Sequence, residues 1–218
     1  MVPPDRRLAT TSTTWVIKLY EAADEVVWAA KINMLWLLFT LVGGVLLGVG
    51  PATVAAYTLA RRHALDESFQ AFPAFLAVYR REFVRGSLLF LPVLGVSVFL
   101  VSNYFYFASM GGVGTLPRLA TLVALAAVVV IVSFLLPMAV HYNLRAQAFL
   151  PKASLFALTR PVPSVLLLFL FTAVIYASTM FPFLVLTVAI GGWIQLNTWL
   201  CLRFFAENEA RLRVERIP

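Results

Sequence analysis

The chain has 218 residues, 61% of them hydrophobic and only 12% charged, with a formal net charge of +7. Soluble domains hold about 25% charged residues, so this composition, with a mean hydropathy of +0.90, excludes an ordinary water-soluble fold and predicts a polytopic membrane protein. In a soluble chain the positive charge would suggest nucleic acid; here Lys and Arg gather between apolar runs, as in cytoplasmic loops, and no nucleic-acid partner is expected. Membrane lipid is the surrounding this composition calls for. The single cysteine, Cys201, leaves no internal disulfide to form.

Residues 1–12 (MVPPDRRLATTS) are polar and proline-bearing and read as a disordered tail. Residues 13–218 read as one integral membrane domain. The first long apolar run begins only near residue 32 and carries no cleavage pattern, so it is expected to stay as a membrane segment. Before it, residues 13–31 place Trp15, Leu19, Ala23, Val26, Val27 and Ala30 on one side and Lys18, Glu21, Asp24 and Glu25 on the other. This spacing predicts an amphipathic helix, either lying in the membrane interface or packed on the same protein.

The first crossing is expected at about 32–49, with Asn33 and Trp36 near its start. It reads as broken at Gly48-Val49-Gly50-Pro51, where glycine removes the side chain and proline a backbone donor. Such a break survives at membrane depth only under cover of protein or trapped water. The small residues of 52–60 are too few to cross alone, and read as a close-packing or re-entrant segment. Gly44 and Gly48 form a small-x3-small pair, a weak signal for close helix approach.

Residues 61–85 are the most basic stretch, and Phe69, Phe72, Phe75, Leu76 and Tyr79 predict a second amphipathic helix over about 69–85. Four further crossings are expected at about 86–108, 119–140, 164–181 and 183–202, the last two joined by a tight hairpin at Pro182. The fold class is therefore all-α: a transmembrane bundle of about five crossings with interfacial helices. Arg145, Lys152 and Arg160, and the arginines after residue 202, place the 141–163 link and the C-terminus in the cytoplasm. Five crossings put the N-terminus outside; a returning half-helix over 52–60 puts it inside.

The combination of Asn33, Trp36, Gly43, Gly50, Pro51 and Ala52 resembles the opening of the YesL-like family of bacterial membrane proteins. Residues 72–86 (FPAFLAVYRREFVRG) and 143–158 (NLRAQAFLPKASLFAL) are also similar to that family. The resemblance implies a cell-membrane accessory of a carbohydrate ABC importer, working with the permease subunits of a sugar transporter.

Chemistry-bearing patterns are sparse. No Asp or Glu occurs between Glu82 and Glu207, nor between Glu25 and Asp66, which argues against a proton- or cation-coupled transporter. His63 and His141 make no paired motif, Cys201 has no local base, and the glycines at 43–50 lack the Lys-Ser/Thr of a phosphate loop. Neither a cofactor nor catalysis is expected, and an enzyme acting on lipid-linked sugar would need a carboxylate or metal centre. What remains are neutral polar groups: Asn33, Asn103, His141, Asn143, Gln195 and Asn197. They suit either interhelical hydrogen bonds or a polar cavity or partner contact. Convergence of the amides on one pocket would favour a stand-alone facilitator or channel for a small neutral solute.

Overall fold

The computed structural model describes residues 6–141, 154–155, 158–159 and 161–215. Among the described residues the regular structure is all helical, without strands: α1 (Arg6–Val42), α2 (Val49–Ala64), α3 (Ala71–Arg81), α4 (Phe83–Ser109), a 3-10 turn (Gly111–Gly114), α5 (Thr115–His141), α6 (Pro161–Met180), α7 (Phe183–Thr187) and α8 (Ala189–Glu215). Four stretches are long and apolar enough to cross a membrane: Trp15–Val42, Phe83–Ser109, Gly111–Val140 and Pro161–Met180.

Several boundaries differ from the sequence reading. The expected interfacial helix 13–31 and the first half of the crossing 32–49 are one helix, α1, which begins at Arg6 inside the stretch read as a disordered tail. No glycine or proline interrupts residues 6–42, so nothing local stops the hydrogen-bond ladder. The expected helix 69–85 is α3 plus the start of α4, separated at Glu82. The last expected crossing, 183–202, is divided at Val188 into α7 and α8.

The break after α1 also falls earlier than expected. Gly44 adopts φ +74°, and its N–H bonds to the Leu41 carbonyl while Val45 N–H bonds to that of Thr40. This is the Schellman arrangement, in which a left-handed residue closes the helix end. Gly43 and Gly48 face each other across the turn, and a Cβ on Gly43 would strike Gly48 and the Tyr79 hydroxyl. Gly50 and Pro51 lie inside the first turn of α2, where a missing N–H breaks no intrahelical bond. Residues 52–60 are thus the body of a regular helix.

α2 is the hub. Its Gly50, Pro51, Ala52, Thr53, Ala55, Ala56, Tyr57, Leu59 and Ala60 are all buried. It runs antiparallel to α1, since Thr53 meets Trp36 and His63 meets Trp28. Small side chains let backbones approach: a Cβ on Gly86 of α4 would sit 2.9 Å from the Pro51 Cα. α3 lays Phe75 and Tyr79 against Phe39 of α1. α4 and α5 form a hairpin across the 3-10 turn. α6 and α8 pair antiparallel around Pro182, with Phe171 edge-on to Trp193. α8 returns beside α1, where Gly191 packs on the backbone of Ala29 and Asn33.

Candidate functional site

Each irregularity in these helices frees backbone groups that water cannot reach in a bilayer, so a neighbouring side chain must serve them. Three such repairs organise the polar interior. At Val188 the ladder stops, leaving the Ile190 and Gly191 N–H groups at the head of α8 without helical partners. Fully buried Asn33, reaching over from α1, accepts both on Oδ1 at 3.0 and 3.1 Å. Its Nδ2 donates to the carbonyls of Leu186 at 2.8 Å and Val185 at 3.1 Å. One amide thereby caps the end of α7 and the start of α8, the task an N-cap residue performs within its own chain segment.

The second repair follows from Pro137 inside α5. Proline has no N–H, so the carbonyl four residues earlier, that of Ser133, loses its helical donor. Buried Asn197 supplies one from Nδ2 at 3.0 Å, and the Cys201 thiol a weaker one at 3.6 Å. The Asn197 amide also donates to the Tyr57 hydroxyl at 2.8 Å, and its Oδ1 accepts from Cys201 at 3.4 Å. This cluster ties α2, α5 and α8 together. The third lies in the turn leading into α2, where Ser87 of α4 donates to the Leu47 carbonyl at 2.8 Å. Trp36 Nε1 donates to Thr53 Oγ1 at 2.9 Å, and that hydroxyl donates to Val49 at 2.6 Å.

Gln195 sits elsewhere. Its Nε2 donates to Glu25 Oε2, and the same carboxylate oxygen lies 3.4 Å from His63 Nε2. The His63 ring stacks on Trp28 with centroids 4.4 Å apart. Gln195 Oε1 and Trp28 Nε1 are buried and without hydrogen-bond partners. Glu25, His63 and Gln195 border an open cavity of about 780 Å³ between α1, α2 and α8, also lined by Asp24, Asp66 and Trp199. The unpaired amide oxygen can accept a hydrogen bond there.

The amides named from sequence therefore do not meet. Asn33 serves the α7–α8 break, Asn197 the kink in α5, and Gln195 the cavity beside Glu25. Asn103 is turned along its own helix, donating to Phe99 at 2.9 Å. His141 closes α5, and Asn143 lies outside the described residues. Gly43 shapes the turn after α1, Gly50 and Pro51 make the contact with Gly86, and Ala52 is fully buried in the hub. Gly44 and Gly48 do not join helices: no atom lies within 4 Å of a Cβ on Gly44, and Gly48 faces the backbone of Phe39 and Thr40 in its own turn. Glu25, Tyr57, Ser87 and Ser133 escaped sequence reasoning. Pro137 was the available signal for the last, because a proline inside a helix leaves the carbonyl four residues before it without its helical donor. Among the described residues no group of three or more His, Cys, Asp or Glu is placed to hold a metal ion.

Long apolar helices whose interruptions are repaired by polar side chains from neighbours define an α-helical integral membrane protein. Residues 29–104 match the family model "Protein of unknown function, DUF624". The chain is 34% identical over 152 residues to the uncharacterized protein YesV of Bacillus subtilis, covering 69% of this chain and 73% of YesV. It is 28% identical over 155 residues to the uncharacterized protein YesL of the same organism, covering 71% and 68%. The chain belongs to this YesL-like, DUF624 family. No solved structure matches it significantly.

Proposed function

We propose that this protein is a non-catalytic accessory of a carbohydrate ABC importer, seated in the bacterial inner membrane with its C-terminus in the cytoplasm and working through contact with permease subunits. The observation that carries the non-catalytic reading is the use made of the buried polar side chains. Asn33, Asn197, Ser87 and Cys201 are committed to carbonyls and N–H groups of neighbouring helices, so each supplies packing specificity. The resemblance to the YesL-like family supplies the link to sugar import.

A surface suited to a partner accompanies that reading. In the N-terminal half of α1, Trp15, Leu19 and Tyr20 are 71%, 73% and 78% exposed, so no other described part of the chain covers them. The apolar face of α3, by contrast, is spent internally, with Phe75, Val78 and Tyr79 buried. α1 is accordingly the amphipathic element left for docking, on a permease subunit or on the lipid interface. The facilitator reading needs a polar path shared by Asn33, Asn103, Gln195 and Asn197, and these point to separate contacts.

The test is purification of the tagged protein from its native membrane in mild detergent, with mass spectrometry of what accompanies it. Stoichiometric permease subunits of a sugar importer are expected, and they should be lost when Trp15, Leu19 and Tyr20 are all changed to Ser. A clean homo-oligomer with no permease subunit would overturn the proposal.

A further inference from the structure

A second cavity, of about 530 Å³, lies where α2, α3, α4 and α5 meet, and its charges have a different character. Three arginines line it, Arg61 from α2, Arg81 from α3 and Arg85 from α4, against a single carboxylate, Glu82. Glu82 is already shared: Arg81 Nε lies 3.1 Å from its Oε1 and Arg85 Nη1 3.6 Å from its Oε2. Among the described residues Arg61 has no such ion pair, and its Nε is buried without a hydrogen bond. A buried guanidinium nitrogen left unpaired carries a desolvation cost that an anion would relieve. The remaining walls include Val54, Leu89, Ala139 and Val140, so the cavity joins a cationic mouth to apolar helix surface.

We infer that this cavity binds a phosphate group through Arg61, Arg81 and Arg85. Guanidinium is the side chain best matched to phosphate, because its planar fork donates two parallel hydrogen bonds to two oxygens of one tetrahedral anion. Arg81 and Arg85 already meet Glu82, and the buried Arg61 guanidinium adds positive charge that a phosphate balances. Basic pockets between membrane helices suit lipid headgroups, and the apolar walls would accept the first methylenes of an acyl chain. A soluble phosphate ester offers the same anion without the chain. This site is independent of the permease proposal, since it uses neither α1 nor a protein partner.

The experiment uses the full chain, purified in detergent and stripped of lipid. Native mass spectrometry follows retention of added phosphatidylglycerol or phosphatidylcholine, and thermal melting follows addition of inorganic phosphate or glycerol 3-phosphate. Phosphatidylglycerol is expected to bind in preference to phosphatidylcholine, and Arg61→Gln to weaken binding by about tenfold or more, the size of one lost charge-assisted contact. Arg81→Gln, at an exposed position, should weaken it in the same direction and decides the matter if Arg61→Gln is not recovered folded. Arg118→Gln, whose guanidinium lies over Tyr104 away from the cavity, should leave binding unchanged. Binding of phosphatidylglycerol alone identifies a lipid headgroup; a melting shift with glycerol 3-phosphate or inorganic phosphate that Arg61→Gln abolishes identifies a soluble phosphate ester. Absence of binding to every probe overturns the inference, as does retention of wild-type affinity in both cavity variants, equal binding of the two lipids, or an equal loss in Arg118→Gln.

Discussion

Asn33 shows how much one side chain can be asked to do in a membrane. Its four hydrogen bonds serve two N–H groups and two carbonyls of a single helix interruption. Asn33→Ala leaves all four without that partner, at about 1–3 kcal/mol for each group that finds no other, so a loss of several kcal/mol and poor recovery of folded protein are expected. Asn103→Ala removes only a bond from an amide to its own helix at a half-buried surface position, and should fall within about 0.5 kcal/mol of wild type. Thermal melting and monodispersity of the two variants in detergent compare them directly; equal behaviour would refute the clamp. Asn197→Leu should lie between them, near the roughly 0.6–2 kcal/mol of buried interhelical hydrogen bonds in membranes. Sequence placed these asparagines at membrane depth and required a partner for each. It could not say which carbonyl each would serve, because Asn33 and Gly191 are separated by 158 positions.

At the level of elements, the bundle is held by close backbone approach at glycines, Gly86 and Gly191 among them, that hydropathy does not distinguish from their neighbours. Gly86 leaves no room for a Cβ against Pro51, and Gly191 none against Ala29, whereas Gly95 has open space and Gly192 only ordinary contact. Gly86→Ala and Gly191→Ala should each destabilise by about 1–3 kcal/mol through overpacking. Gly95→Ala should be neutral or stabilising, since alanine gains up to about 1 kcal/mol over glycine in a helix. Melting temperatures of the three variants test this, and a damaging Gly95→Ala with a silent Gly86→Ala would reverse the assignment. The glycine pair that sequence singled out, Gly44 and Gly48, works instead within one turn. Spacing alone cannot separate a helix contact from a helix end, because both exploit the missing Cβ.

For the whole molecule, apolar length fixes the class while the breaks set the path of the chain. Cys201 is buried in the cluster joining α2, α5 and α8, so a membrane-permeant maleimide should leave it unlabelled until detergent unfolds the protein. In a Cys201→Ser background, Ser68→Cys between α2 and α3 and Gly112→Cys between α4 and α5 should label from opposite sides of sealed vesicles. One candidate span, Phe83–Ser109, separates them. Labelling of both from the same side would show that α4 does not cross.

The sequence by itself determined the membrane class, the family and the approximate extent of α4, α5 and α6. These follow from composition, run length and local backbone chemistry, which act within a few turns of helix. Tertiary structure decided that residues 6–42 form one helix, that Val188 divides the last segment, and that Pro137 is repaired by Asn197. It also decided that Arg61, Arg81 and Arg85 share a cavity. Each of these depends on partners far apart in the chain, and hydrogen-bond satisfaction in an apolar medium is settled only when the helices pack.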